Sequence, residues 1–93
     1  MKTEGHLHTY AKKRANLLGI YARKLVSKSI VGFPDWIFAK RGRVIFTELK
    51  SPAGTGSLSV MQDREHKKMR NAGLDTRVAS NQEEIDVILH ILN

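Results

Sequence analysis

Two carboxylates and a lysine carry the chemical interest of this chain. Asp35 follows Gly32-Phe33-Pro34, and Glu48-Leu49-Lys50 comes after an apolar run and a short turn. Glu48 and Lys50 stand two apart in a segment that reads as a strand, so their side chains share a face. With Asp35 delivered from the neighbouring strand, the set is a minimal kit for holding a divalent cation beside a phosphate. Hard oxygen ligands suit Mg2+ or Mn2+. Each residue also has an ordinary use. Asp35 after a proline can satisfy a turn, Glu48 and Lys50 can be an exposed strand pair, and Gln62 further on can serve only as a helix cap.

The elements around these residues are legible in outline. Leu7, Tyr10, Ala11, Leu18, Tyr21, Ala22 and Leu25 recur at three- and four-residue steps, which predicts a long amphipathic helix ending near Val26 or Ser27. Thr3 is its expected N-cap, and Glu4 suits the positive end of the helix dipole. Gly5 and Gly19 weaken it. Lys28 to Val31 reads as a short extended piece, punctuated by Gly32 and Pro34. Asp35 to Ala39 and Val44 to Leu49 read as strands joined by a hairpin turn at Lys40-Arg41-Gly42-Arg43. Val44, Phe46, Glu48 and Lys50 fall on one face of the second strand, and Ile45, Thr47 and Leu49 on the other. Ser51 to Ser59 is a Ser/Gly/Pro loop. Ser59 to Gln62 fits a capping box opening a helix with Met61, Met69 and Ala72 inward and its end near Gly73. Thr76 to Ala79 is a short strand. Ser80 to Glu83 reads as a second capping box before a helix with Ile85, Ile88, Leu89 and Leu92 buried. Helix, strands, helix, strand, helix makes an α/β architecture.

Composition narrows the partners. Ninety-three residues fit one domain, 1–93. With no cysteine, a disulfide framework or zinc–thiolate centre is excluded. No apolar run approaches the roughly 20 residues that span a membrane, and the polar N-terminus shows no signal peptide, so a cytoplasmic protein is expected. Sixteen Lys and Arg against nine Asp and Glu give a formal charge of +7. A small domain this basic commonly meets a polyanion. The expected phosphate contacts are Lys12, Lys13, Arg14 and Lys28 early, Lys40, Arg41 and Arg43 at the hairpin, and Lys67 and Lys68 later. A metal site at His6 and His8 is disfavoured, because no carboxylate companion is read at a helical step. His66, one turn beyond Gln62, reads as solvated or partly buried. Trp36 and Phe38 read as core.

Gly32-Phe33-Pro34-Asp35, the hairpin, Glu48-Leu49-Lys50 and Gln62 at a helix start together resemble the VRR-NUC branch of the PD-(D/E)XK nuclease superfamily, in its small stand-alone viral or bacterial form. The resemblance covers nearly the whole chain. It implies a restriction-endonuclease-like core, a small central mixed sheet flanked by helices in the order α-β-β-β-α-β-α. It implies that Asp35, Glu48 and the main-chain carbonyl of Leu49 hold Mg2+ or Mn2+, with Glu4 reaching the site from the first helix, either to a second metal or through a water. Lys50 would serve as general base or electrostatic clamp, and Gln62 would orient the lysine or the attacking water. The expected activity is hydrolysis of DNA phosphodiester bonds, on branched or junction DNA and as a homodimer, with no small-molecule cofactor. The alternatives are a non-catalytic nucleic-acid-binding module and a nuclease subunit of a larger helicase or repair assembly.

Overall fold

A computed structural model describes residues 4–26, 29–51 and 58–93. The expected N-cap Thr3, the basic residue Lys28 and most of the Ser/Gly/Pro loop lie outside the described residues. The order is α1 (Glu4–Leu17), β1 (Tyr21–Lys24), β2 (Trp36–Lys40), β3 (Arg43–Leu49), α2 (Val60–Asn71), β4 (Thr76–Ala79) and α3 (Gln82–Leu92). The four strands form one mixed sheet in chain order, with β1, β2 and β3 antiparallel and β4 parallel to β3. This is the expected α-β-β-β-α-β-α core, but its first helix and first strand are not where the sequence pattern put them.

The first helix ends at Leu17, well short of Val26. Gly19 takes φ +69°, Ile20 N–H donates to the Ala15 carbonyl (2.8 Å) and Gly19 N–H to that of Asn16 (3.2 Å). This is a Schellman ending, and the glycine expected only to weaken a helix terminates it. Tyr21, Ala22 and Leu25 therefore leave the helical stripe. Tyr21 and Ala22 enter β1, the edge strand, and 29–32 form bends and a turn rather than a strand.

Leu7, Ala11 and Ala15 of α1 and Ile85, Ile88, Leu89 and Leu92 of α3 pack with Trp36, Phe38, Ile45 and Leu49 of the sheet in one buried cluster. The opposite face of β3 carries Phe46, edge-on to Phe33 (5.9 Å between ring centroids), and Glu48, which meets α2. Helix α2 is capped as its sequence predicts: Ser59 Oγ accepts from Gln62 N–H (3.1 Å), and Gln62 Oε1 accepts from Ser59 N–H (3.0 Å). Of its expected inward residues only Met69 is buried, while Met61 and Ala72 are exposed. The cap of α3 sits one residue later than expected. Asn81 Oδ1 accepts from Glu84 N–H (2.8 Å), and the Glu84 carboxylate reaches back to Ser80 N–H (2.6 Å).

Candidate active site

The register of the β2–β3 hairpin sets the site. Trp36 pairs with Thr47, so the next step along both strands sets Asp35 opposite Glu48. Cross-strand neighbours hold their Cβ atoms about 5 Å apart. The register is pinned at the far end by Arg41 and Gly42, both at positive φ (53° and 83°), the geometry of a two-residue type I′ turn. At the near end Asp35 is held twice. Its carbonyl accepts from Leu25 N–H (2.6 Å), which prolongs the β1–β2 ladder, and its Oδ2 accepts from Leu49 N–H (2.9 Å). The N–H and carbonyl of a strand residue leave by the same edge, so the Leu49 carbonyl faces the Asp35 side too.

Helix α2 closes the other wall. Gln62 Nε2 donates to Glu48 Oε2 (3.2 Å), so one side chain caps the helix and anchors a carboxylate. Lys50 Nζ stands 3.7 Å from the same oxygen. Gly32 permits this approach. It sits at φ +88°, and a Cβ there would lie 2.5 Å from the Met61 carbonyl oxygen and 2.9 Å from Gln62 Cα. Any other residue before Phe33-Pro34-Asp35 would push α2 away from Glu48.

The electrostatics are unbalanced. Glu48 is 3% exposed, and its Oε1 is buried with no hydrogen-bond partner among the described residues. Burial first, then the charge of Asp35, push its carboxyl up to about 8, with Lys50 opposing. Two carboxyls face each other, and Glu48 is accommodated there only with a proton or a cation beside it. A buried acceptor of this kind is what a divalent ion satisfies, so the residues present fit a hard cation.

Helix α1 brings a third carboxylate and a histidine. Ligand atoms of Glu4, His8 and Asp35 lie within 4.8 Å of one another. This grouping is not among the sequence expectations, which leave the His6–His8 pair without a carboxylate. The signal is nonetheless local, because Glu4 precedes His8 by one helical turn and shares its face. Trp36 Nε1 donates to His8 Nδ1 (2.7 Å), and the two rings meet with centroids 6.0 Å apart and planes 30° from parallel. Burial and nearby Lys24 lower the His8 pKa against the pull of Asp35 and Glu4. His66 is fully buried rather than solvated, with neither ring nitrogen partnered among the described residues.

The expected site residues Asp35, Glu48, Leu49, Lys50, Gln62 and Glu4 thus gather at one end of the sheet. The basic residues scatter. Lys12 and Lys13 are exposed on α1, with Lys12 one turn beyond His8, and Lys68 is exposed on α2. Arg14 pairs with Asp86 (3.5 Å), Arg43 with Asp75 (3.8 Å) and Lys67 with Asp63 (3.0 Å). Lys40 Nζ donates to the Leu18 carbonyl (2.7 Å) and to Asn93 Oδ1 (3.0 Å). Arg41 occupies the hairpin turn, beyond the strand end at Arg43, which is itself about 17 Å from Glu48 along β3. A separate depression between α1 and α3, bordered by Arg14, Leu18, Asp86 and His90, contains none of the clustered carboxylates.

No protein-family model matches the sequence, and no curated protein does. Solved structures do. One described as a VRR_NUC domain is 29% identical, with 96% of this chain covering 97% of that one at a TM-score of 0.81. A second, described as a VRR_NUC domain protein, is 16% identical, covers 98% of this chain and 88% of its own, and has a TM-score of 0.79. The second speaks to the fold alone. The first adds sequence likeness to the same architecture, so over nearly its whole length this chain is a structural match to the VRR_NUC domain.

Proposed function

We propose that this chain is a metal-dependent nuclease of the PD-(D/E)XK kind that hydrolyses DNA phosphodiester bonds. The VRR_NUC likeness implies a PD-(D/E)XK-like nuclease. The observation that carries the metal-dependent reading is the Asp35–Glu48 pair, two carboxyls forced together with a buried oxygen left unpartnered among the described residues.

Asp35, Glu48 and the Leu49 carbonyl would hold Mg2+ or Mn2+, with Glu4 close enough to Asp35 to join directly or through water. Such an ion supplies Lewis-acid polarisation of the scissile phosphate and a more acidic bound water. The rest falls to the side chains. Leu49 N–H fixes the rotamer of Asp35, and Gln62 fixes that of Glu48. Lys50, tethered loosely at 3.7 Å and partly open to solvent, is able to meet the attacking water or a phosphate oxygen. It acts there as general base or electrostatic clamp.

The chain's charge of +7 favours a polyanionic substrate. Lys12, Lys13 and Lys68 are the most available phosphate contacts among the expected set. No helix among the described residues stands out to enter a major groove, which favours backbone and shape over sequence readout. Val31, Val60 and Met61 are exposed on the strip where the Gly32 loop meets α2. They supply apolar surface for a second copy, and a two-fold dimer would suit branched or four-way DNA.

The test is cleavage of labelled junction, flap, duplex and single-stranded DNA with Mg2+, Mn2+ or EDTA. Cutting should require the metal and favour branched substrates. Asp35→Ala should lower the rate by about 10^3-fold or more while leaving DNA affinity within a few-fold. Binding without cutting in either metal would make the chain a binding module, and undiminished turnover by Asp35→Ala would overturn the site assignment.

A further inference from the structure

We infer that His8 serves this site as an N–H donor that positions Glu4, not as a metal ligand, and that Trp36 enforces the choice. The inference rests on the metal-site reading above.

The Glu4–His8–Asp35 cluster has the spacing of a three-ligand metal centre. The hydrogen bond behind it denies that role. An indole nitrogen can only donate. At 2.7 Å from Trp36 Nε1, His8 Nδ1 must therefore be the acceptor. A neutral imidazole has one lone pair in the ring plane and one N–H, so the hydrogen resides on Nε2. Both nitrogens are closed to a cation: one lone pair is taken and the other nitrogen is protonated. A ligating histidine shows the reverse arrangement, its second nitrogen donating to a carboxylate or carbonyl that leaves the first free to coordinate.

The lock is stiff. Trp36 is buried at 4% exposure and stacks on Phe38 with ring centroids 5.5 Å apart and planes 9° from parallel. Turning His8 toward a metal would strand a buried indole N–H. What the ring can offer is its remaining N–H. Asp35 already accepts from Leu49 N–H, whereas Glu4 is exposed in the first helical turn, one turn before His8 on the same face. Glu4 is the carboxylate that needs holding. The consequence is metal selectivity. The cluster shows a cation only oxygen ligands, which suits Mg2+ and Mn2+ and denies imidazole-seeking ions such as Zn2+ and Ni2+ their preferred donor.

The experiment is calorimetric titration of Mn2+ and Zn2+ into four proteins: wild type, His8→Ala, Trp36→Phe and the double variant. His8→Ala removes no ligand but loosens Glu4, so Mn2+ affinity should fall by about two- to threefold, and an unchanged affinity would overturn the positioning of Glu4. Trp36→Phe keeps the ring packing and releases the Nδ1 lone pair, so Zn2+ affinity should rise tenfold or more, and adding His8→Ala should cancel the gain. A tenfold loss of Mn2+ affinity in His8→Ala, or no Zn2+ gain in Trp36→Phe, would overturn the inference. Long-range 1H–15N spectra of the wild-type protein give a reading that needs no variant. His8 should keep its Nε2–H tautomer before and after Mg2+ saturation, and loss of that proton on saturation would refute the proposal. A protein that binds Mg2+, keeps this tautomer and cuts no DNA supports the His8 role while the nuclease reading fails. A ring that coordinates the metal while DNA is cut refutes the His8 role and leaves the nuclease reading standing.

Discussion

The two ends of the β2–β3 hairpin follow opposite rules. At the turn end, polar groups are matched. Lys40 Nζ closes the C-terminus of α1 through the Leu18 carbonyl and ties it to Asn93 at the end of α3, a cation where the helix dipole calls for one. At the open end, Asp35 and Glu48 face each other, Glu48 Oε1 is buried without a partner among the described residues, and the Glu48 carboxyl is pushed up to about 8. The same two strands thus carry a balanced joint and an unbalanced site. A site that binds a cation must be incomplete without it, so its residues cost stability in the free protein. Substitutions at the two ends should therefore differ in sign as well as size.

The largest effect is expected at Glu48. Glu48→Gln keeps the shape and the acceptor for Gln62 but removes the charge, so cleavage should fall by about 10^3-fold. Stability without metal should move the other way. The folded carboxyl titrates near 8 against an ordinary 4.5, so between those values the folded state holds more protons than the unfolded one, and wild-type stability declines as pH rises through that window. The glutamine protein lacks that decline. In urea denaturation with EDTA at pH 8.5 it should be more stable on the order of 1–3 kcal/mol. Equal stability of the two proteins at that pH would remove the stored imbalance.

Gly32→Ala comes next and harms both properties. A Cβ at 2.5 Å from the Met61 carbonyl oxygen, added to a left-handed backbone, should cost about 2–4 kcal/mol and shift Gln62 away from Glu48. Thermal denaturation and single-turnover cleavage should fall together, and an alanine variant with wild-type melting would show that the loop and α2 are not in tight contact. Lys40→Met tests the matched end. It should cost about 1 kcal/mol through the two lost hydrogen bonds and leave the cleavage rate within twofold. A large rate loss at constant stability would move Lys40 into the substrate contacts.

What can be read from the sequence divides along similar lines. Asp35, Glu48, Lys50 and Gln62 are legible because each is placed by local rules: strand alternation, a two-residue turn with a glycine, and a capping box. Gly32 is readable as punctuation but not as a contact, since the atoms it makes room for belong to Met61 and Gln62, in a helix beyond the hairpin and the following loop. The end of α1 is hidden because an apolar stripe runs on through Tyr21 and Leu25, and a glycine inside a periodic pattern looks like a defect until its φ is known. The charges of Arg14, Lys40, Arg43 and Lys67 look like a phosphate-binding set. Sequence cannot show which cations are already committed to Asp86, Asp75, Asp63 or a helix end. The role of His8 needs its spacing from Glu4 and the tertiary position of Trp36, and only the first of these is local.

His66 lies one turn below Gln62 on α2 and offers the smallest and most separable test. Burial, then the charge of Arg70, lowers its pKa below 6.5, against Asp63, Glu65 and Asp35. Its ring therefore resists protonation in the folded protein and takes up a proton more readily on unfolding. Below about pH 6.5 the unfolded state binds the extra proton, so this residue withdraws stability as pH falls. Glu48 acts in the opposite sense over the same range, and the wild-type profile alone cannot separate the two. The difference between wild type and His66→Leu can. Leucine removes two ring nitrogens, unpartnered among the described residues, from a fully buried position, a change that is near neutral or stabilising when shape is roughly kept. The advantage of the leucine protein should grow steadily as pH falls from 7.5 to 5 in urea denaturation, with cleavage at pH 7.5 within twofold of wild type. A difference that stays flat across that range would mean that His66 is protonated or solvated in the folded chain.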